Sequence, residues 1–449
     1  MPLILSLLLA AGPGVLTARA EEGPALAAPG LLERQTLTGD WGGARTWLAD
    51  RGATVTLTQT SDVLGNPSGG FRQGIAYDGV FAAGLDVDLD KLAGWRGGSF
   101  RASGYAIQGH GLSQYYIGNY LTVTTVETTD YTRLDELWVQ QSLFDGRVAV
   151  KVGQIEADNS FITSPTADLF VNSTFGFPGS FSYDIPDGGP TYPYAVPGVQ
   201  LVVKPDPAWT VQGAVFNGNP LGSGNNWNGL AFPLGDGVFA IAELAYAFTP
   251  APDSGWLPGT YKVGGWYNSE SYDNLSMASN GVSLASPQSS GTPMQESGAY
   301  AVYLLVDQTL WREPGTTGQG LAGFGHVALS PQADRSLMTW YFDLGLAYTG
   351  LLPGRDRDVA GIAFAYANMS PDLADLARTQ NQVSGRSGPI PDFEAVLEVT
   401  YKAAATPWLS VQPFAQYVFH PGGNGPNPEN PDVAIKDAAV FGLRAAVTF

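Results

Sequence analysis

The sequence contains no cysteine and only three histidines. The missing cysteines exclude disulfides, thiolate metal sites and a cysteine nucleophile. His110, His326 and His420 are too far apart to form one local zinc motif. Beyond the N-terminus there is no apolar run of about eighteen residues, so no transmembrane helix is expected. Charge is scarce as well: 14% of residues are charged, below the usual quarter. Basic residues are the scarcer sign, 22 against 41 acidic, for a formal net charge of -19. Such a chain lacks the clustered Lys and Arg that nucleic acids and other polyanions require.

Glycine, with 57 residues, and aromatics, at 12%, are abundant, which suits strands and turns better than helices. The first twenty residues, "MPLILSLLLAAGPGVLTARA", read as a secretory signal peptide. Leu3–Ala11 supplies the apolar core and Ala18-Arg19-Ala20 the cleavage pattern, although the positive n-region is missing. The expected organisation is a leader over 1–20, an N-terminal periplasmic segment with a short helix over 21–52, and one large domain over 53–449.

From residue 53 onward, segments of about ten residues alternate in polarity between turn-rich stretches, and sixteen can be read. In "SLMTWYFDLGLAYTG", Met338, Trp340, Phe342, Leu344, Leu346 and Tyr348 share one face. In "DFEAVLEVTYKA", Phe393, Ala395, Leu397, Val399 and Tyr401 oppose Glu394, Glu398, Thr400 and Lys402. A period of two is a strand signal. Connections alternate too: long ones such as 109–132, 158–195 and 371–390 interleave with short ones such as "FDGR" and "ATPW". The 330–336 stretch, "SPQADRS", is a short exception. Up-and-down strands put long loops at one end and tight turns at the other, as in bacterial outer-membrane barrels. Lipid offers no hydrogen bonds, so a sheet crossing it must close on itself. The expected fold is therefore all-β: a transmembrane antiparallel up-and-down β-barrel of about sixteen strands with a short N-terminal helix. Trp209, Trp256, Trp311, Trp340 and Trp408 fall near segment ends, where interfacial girdles belong. Phe449 ends the last strand on its outward face.

"LTGDWGGARTWLADRG" (Leu37–Gly52) allows Asp40 to cap a helix over Gly42–Asp50, with Gly52 just beyond it. This stretch resembles the N-terminal signature of the carbohydrate-selective porin (OprB) family. "LFDGRVAVKVGQIEADNSF" (Leu143–Phe161) is similar to that family too, and the likeness runs from about residue 36 to the end. The resemblance implies a sixteen-stranded barrel, sugar uptake and a narrowed pore. The terminal aromatic resembles the signal read by the barrel-assembly machinery.

Other motifs carry less. "GQGLAG" (Gly318–Gly323) matches a dinucleotide fingerprint but precedes a strand-like run, so a glycine-rich turn is the plainer reading. Asp86, Asp88 and Asp90 alternate but lack the glycine and distal acid of a calcium loop, which leaves an acidic inward strand face. No metal or other cofactor is expected, and no catalytic residue is assigned. Alternation places Arg101, Ser103 and Tyr105 inward, followed by Glu136, Trp138 and Gln140, then Lys151. Sugars present hydroxyls and apolar C–H faces, which charged or amide groups and flat aromatic rings can meet. The candidate pore-lining set is Arg101, Glu136, Trp138 and Lys151, with Asp158 and Asn159 opening a long loop that either packs externally or, as the resemblance implies, folds into the lumen and narrows the pore. The expected function is passive sugar diffusion through an outer-membrane porin. A general or cation-preferring porin is the alternative within the class, and a secreted soluble all-β protein the alternative outside it. Expected partners are permeating sugars, outer-membrane lipid and the assembly machinery; the sequence does not choose between monomer and homotrimer.

Overall fold

The computed structural model describes residues 30–222, 226–251, 254–316 and 318–449. The expected leader over 1–20 lies outside them. The wall opens with β1 (Ala53–Gly70), β2 (Gly74–Asp88), β3 (Gly98–Gly109) and β4 (Thr132–Leu143). It continues through β5 (Val148–Ile155), β6 (Val196–Val203), β7 (Trp209–Asn217) and β8 (Val238–Phe248). Next come β9 (Gly259–Ala278), β10 (Pro293–Arg312), β11 (Gly320–Leu329) and β12 (Met338–Thr349). The last four are β13 (Val359–Met369), β14 (Phe393–Thr406), β15 (Leu409–Phe419) and β16 (Lys436–Thr448). Each strand pairs antiparallel with its sequence neighbours, and β1 closes on β16 with Thr58 opposite Thr448. Closure leaves no free edge. Among the described residues, no helix is long and apolar enough to cross a membrane.

The period of two sorts the side chains. On β12, Leu344 and Leu346 are exposed on the outer face while Tyr341 and Asp343 are buried inside. Met338, read from sequence on the outer face, is instead buried, because the β12–β13 register shifts between Met338 and Trp340. Aromatic girdles form at both ends. At the turn end, Trp209 packs on Tyr246 (4.7 Å) and Trp311 on Tyr348 (6.0 Å). At the loop end, Trp340 stacks on Tyr366 (5.0 Å), which stacks on Phe393 (4.9 Å). Two aromatic belts flanking an apolar band are what a bilayer-spanning wall requires.

The N-terminal helix α1 covers Ala44–Asp50, after a 3-10 turn over Trp41–Gly43, so it is shorter than the predicted Gly42–Asp50. Gly42 has a positive φ of 67° and cannot extend the helix. Asp40 Oδ1 accepts from the Thr46 N–H at 2.9 Å, and Gly52 follows the helix with φ 86°. The acidic run also differs from its strand reading. Asp86 is on β2, but Asp88 caps α2 (Leu89–Ala93) and Asp90 lies within that helix. The Asp88 carboxylate accepts from the N–H groups of Asp90 and Lys91, which ends the strand. Gly320 opens β11 directly, as the turn-into-strand reading of "GQGLAG" expects.

Candidate functional site

Two external loops fold into the barrel. The first joins β3 to β4 (110–131); the second joins β5 to β6 (156–195) and contains α3 (Gly179–Asp184). Irregular loops carry backbone N–H groups that need partners when buried. The inner wall supplies carboxylates to receive them. Glu398 on β14 accepts from Val171 and Asn172, both at 2.8 Å. Asp307 on β10 accepts from the Thr166 N–H at 3.0 Å and its hydroxyl at 2.8 Å. Glu243 on β8 accepts from Ile162 at 2.9 Å. The second loop therefore runs from β5 across the lumen to the far wall.

The first loop is clamped similarly. Glu394 accepts from Tyr120 at 2.9 Å and Leu121 at 2.6 Å, while Arg444 Nη2 donates to the hydroxyls of Thr124 and Thr125. The loops also join each other: the Thr125 N–H donates to the Val171 carbonyl (2.9 Å) and the Ser173 N–H to that of Thr122 (3.0 Å). Side chains between them, including Leu121, Val123, Val171 and Phe175, are fully buried. The barrel core is thus two packed loops narrowing a lumen. Burial pushes the loop carboxyls Glu127 and Asp184 up to about 7.

The β2–β5 wall remains as a polar surface below these loops. Arg101 on β3 hydrogen-bonds both Asp86 oxygens through Nη1 at 2.8 Å. Its Nε lies 2.9 Å from Glu136 Oε2 on β4, an ion-pair contact without hydrogen-bond alignment. The Lys151 ammonium sits 4.6 Å over the Trp138 ring. The Arg101 side chain is 32% exposed and Asp86 44%, whereas Glu136 is only 5% exposed. The structure therefore brings together Arg101, Glu136, Trp138 and Lys151. Asp158 serves the second loop instead. Its Oδ2 accepts from the Tyr192 N–H at 3.0 Å and ties the two ends of that loop. Asn159 is exposed, and its Nδ2 donates to Glu156 at 3.0 Å.

Sequence reasoning missed the infolding of the first loop and the clamping roles of Glu243, Asp307, Arg444 and Asp62, whose carboxylate holds Arg444 and accepts from the Thr124 hydroxyl. It did place Glu394 and Glu398 on the polar face of their strand. It had no means of pairing them with N–H groups more than two hundred residues away.

A closed sixteen-stranded barrel, girdled at both ends and narrowed by infolded loops, defines a channel of the outer-membrane diffusion-porin class. The chain belongs to the carbohydrate-selective porin family, OprB, whose family model matches residues 72–449. It is 28% identical over 411 residues to Porin B of Pseudomonas aeruginosa, covering 86% of this chain and 87% of that protein. Similarity extends to the putative porin QuiX of Acinetobacter baylyi, at 23% identity over 442 residues, 93% of this chain and 94% of the other. The high-pH structure of Pseudomonas putida OprB superposes with a TM-score of 0.81 at 26% identity, over 93% of this chain and 99% of that one. The protein is thus an outer-membrane sugar porin.

Proposed function

We propose that sugars diffuse past one polar ladder on the β2–β5 wall. Arg101 offers fixed donors and Asp86 an exposed carboxylate. Trp138 offers a flat ring, and Lys151 and Asn159 add further donors. Glu136 is nearly covered, so it holds Arg101 rather than meeting solute. Asp158 acts on loop geometry alone. The observation that carries this reading is the partly exposed Arg101 guanidinium, held between Asp86 and Glu136 beside the Trp138–Lys151 pair.

Binding here must be weak, because a solute that binds tightly does not leave. Millimolar affinity corresponds to about 4 kcal/mol. A few hydrogen bonds of roughly 1 kcal/mol each, with stacking of about 0.5–1.5 kcal/mol, reach that value. Permeation then needs only a concentration gradient. The outward apolar faces meet lipid, and the N-terminal segment closes the periplasmic rim, where Leu37 donates to the Thr448 carbonyl at 2.8 Å. Ion current through a planar bilayer, measured with and without added sugars, tests the reading. Sugars should reduce the current at millimolar concentrations, whereas a general porin would show no saturable block.

A further inference from the structure

Above the constriction, on the side of the long loops, lies a cavity of about 620 Å³ that the permeation ladder does not include. The first infolded loop forms most of it, and Tyr183 of α3 closes it from the second. A volume of several hundred Å³ suits a small solute. Three tyrosines line it: Tyr115, Tyr120 and Tyr183. Tyr115 is 44% exposed and Tyr183 43%, high values for aromatic side chains on loops that are otherwise packed. Tyr183 stands edge-on to Tyr120 at 4.9 Å, which fixes the direction of its ring. The exposed side chains of Gln114 and Asp130 line the same cavity and bring amide and carboxylate groups to the rings.

A second cavity of about 710 Å³ adjoins it and shares Tyr183 and Thr122 as lining, so Tyr183 has open space on two sides. Ser271 and Asp273 line this second space. Flat rings meet the C–H faces of a pyranose, and neighbouring amide and carboxylate groups meet its hydroxyls. Apolar solutes would leave those polar groups without partners, and highly charged anions would meet Asp130.

We propose that this loop cavity is an outer sugar subsite, holding a hexose or short oligosaccharide against Tyr115 and Tyr183 before it reaches Arg101. The subsite is separate from the Arg101–Trp138 ladder and rests on the sugar-porin reading. It raises sugar occupancy at the external mouth, where solute first meets the loops.

Fluorine NMR line broadening of 3-fluoroglucose, titrated with full-length protein in detergent micelles, tests it. Wild type should broaden the line at millimolar sugar. Arg101→Ala combined with Trp138→Ala should lose part of the broadening and keep the rest. Adding Tyr115→Ala and Tyr183→Ala to that background should weaken the remainder at least fivefold. Tyr183→Phe keeps the ring and should restore most of it, and Tyr115→Ala alone, at an exposed position, should give a smaller loss with the loops intact. If the Arg101/Trp138 variant already shows no broadening, or if the tyrosine changes leave its broadening unaltered, the outer subsite is overturned while the sugar-porin reading stands. No broadening with wild type would overturn both.

Discussion

Arg101 Nε stands 2.9 Å from Glu136 on the next strand while Nη1 reaches Asp86 at 2.8 Å on the strand before. A guanidinium held between two carboxylates points in one direction, which is what weak but selective hydrogen bonding requires. Arg101→Ala should weaken sugar block about tenfold or more, since bonds to charged groups contribute about 1.5–3 kcal/mol. It should also shift the reversal potential in a salt gradient towards cations, because Asp86 and Glu136 lose their neutralising partner. Arg101→Lys should keep the ion preference and recover only part of the sugar block. An unchanged reversal potential in Arg101→Ala would place this group outside the conducting path.

The second loop is held by a carboxylate with two backbone partners. Glu398→Ala orphans the N–H groups of Val171 and Asn172, at about 1–3 kcal/mol each. Single-channel conductance should rise and become noisier as the loop loosens. Glu398→Gln retains a carbonyl acceptor and should give a smaller effect. Quiet, wild-type conductance in both variants would show that this clamp does not hold the loop.

Acid should tighten the loops. Burial raises Glu127 from 4.5 and Asp184 from 3.8 to about 7 in the packed loops. Between those limits the packed loops bind protons that an unpacked loop has released. Packing is therefore most stable near pH 4 and weakens as pH rises to about 7, then levels off. Limited proteolysis, with an acid-stable and a neutral protease calibrated on an unstructured peptide, should show slower loop cleavage at pH 5 than at pH 8. Glu127→Gln should flatten part of that dependence. Faster cleavage at pH 5 would reverse the assigned sign.

The chain end is stitched into the wall. Phe449 N–H donates to the Leu57 carbonyl at 2.9 Å, the Phe449 carbonyl accepts from Arg45, and its ring meets Phe81 edge-on at 6.1 Å. Phe449→Asp puts a charge on the outward face and removes the ring contact. The assembled, heat-modifiable fraction in outer-membrane preparations should fall several-fold. Unchanged outer-membrane levels would show that the Phe449 ring does not matter for assembly.

Much of the barrel was legible because its signals are local. Alternation fixed the inward face of Arg101, Glu136, Trp138 and Lys151, and up-and-down order made them neighbours. Strand ends were less legible. β9 extends over the 20 residues Gly259–Ala278, well beyond the roughly ten-residue segments that alternation marks, because pairing continues where alternation weakens. The external loop at 371–390 hid a helix, Pro371–Ser384, although Ser370, Pro371 and Gly385 spell its cap, first turn and end. Loop infolding was the least legible feature. The loop partners of Glu243, Glu394 and Glu398 are backbone N–H groups, which any residue type supplies, so no side-chain pattern marks them.

The central claim is that sugars are selected at the Arg101–Trp138 ladder, under a lumen narrowed by the second loop. Sugar-dependent block of ion current in a planar bilayer tests this most directly, comparing wild type, Trp138→Ala and a deletion within Ser164–Pro190. Trp138→Ala should weaken the block about two- to tenfold, the equivalent of about 0.5–1.5 kcal/mol of stacking, with little change in conductance. The deletion should raise conductance and weaken the block together. A folded deletion variant with wild-type conductance and block, or wild-type block in Trp138→Ala and Arg101→Ala, would contradict the account.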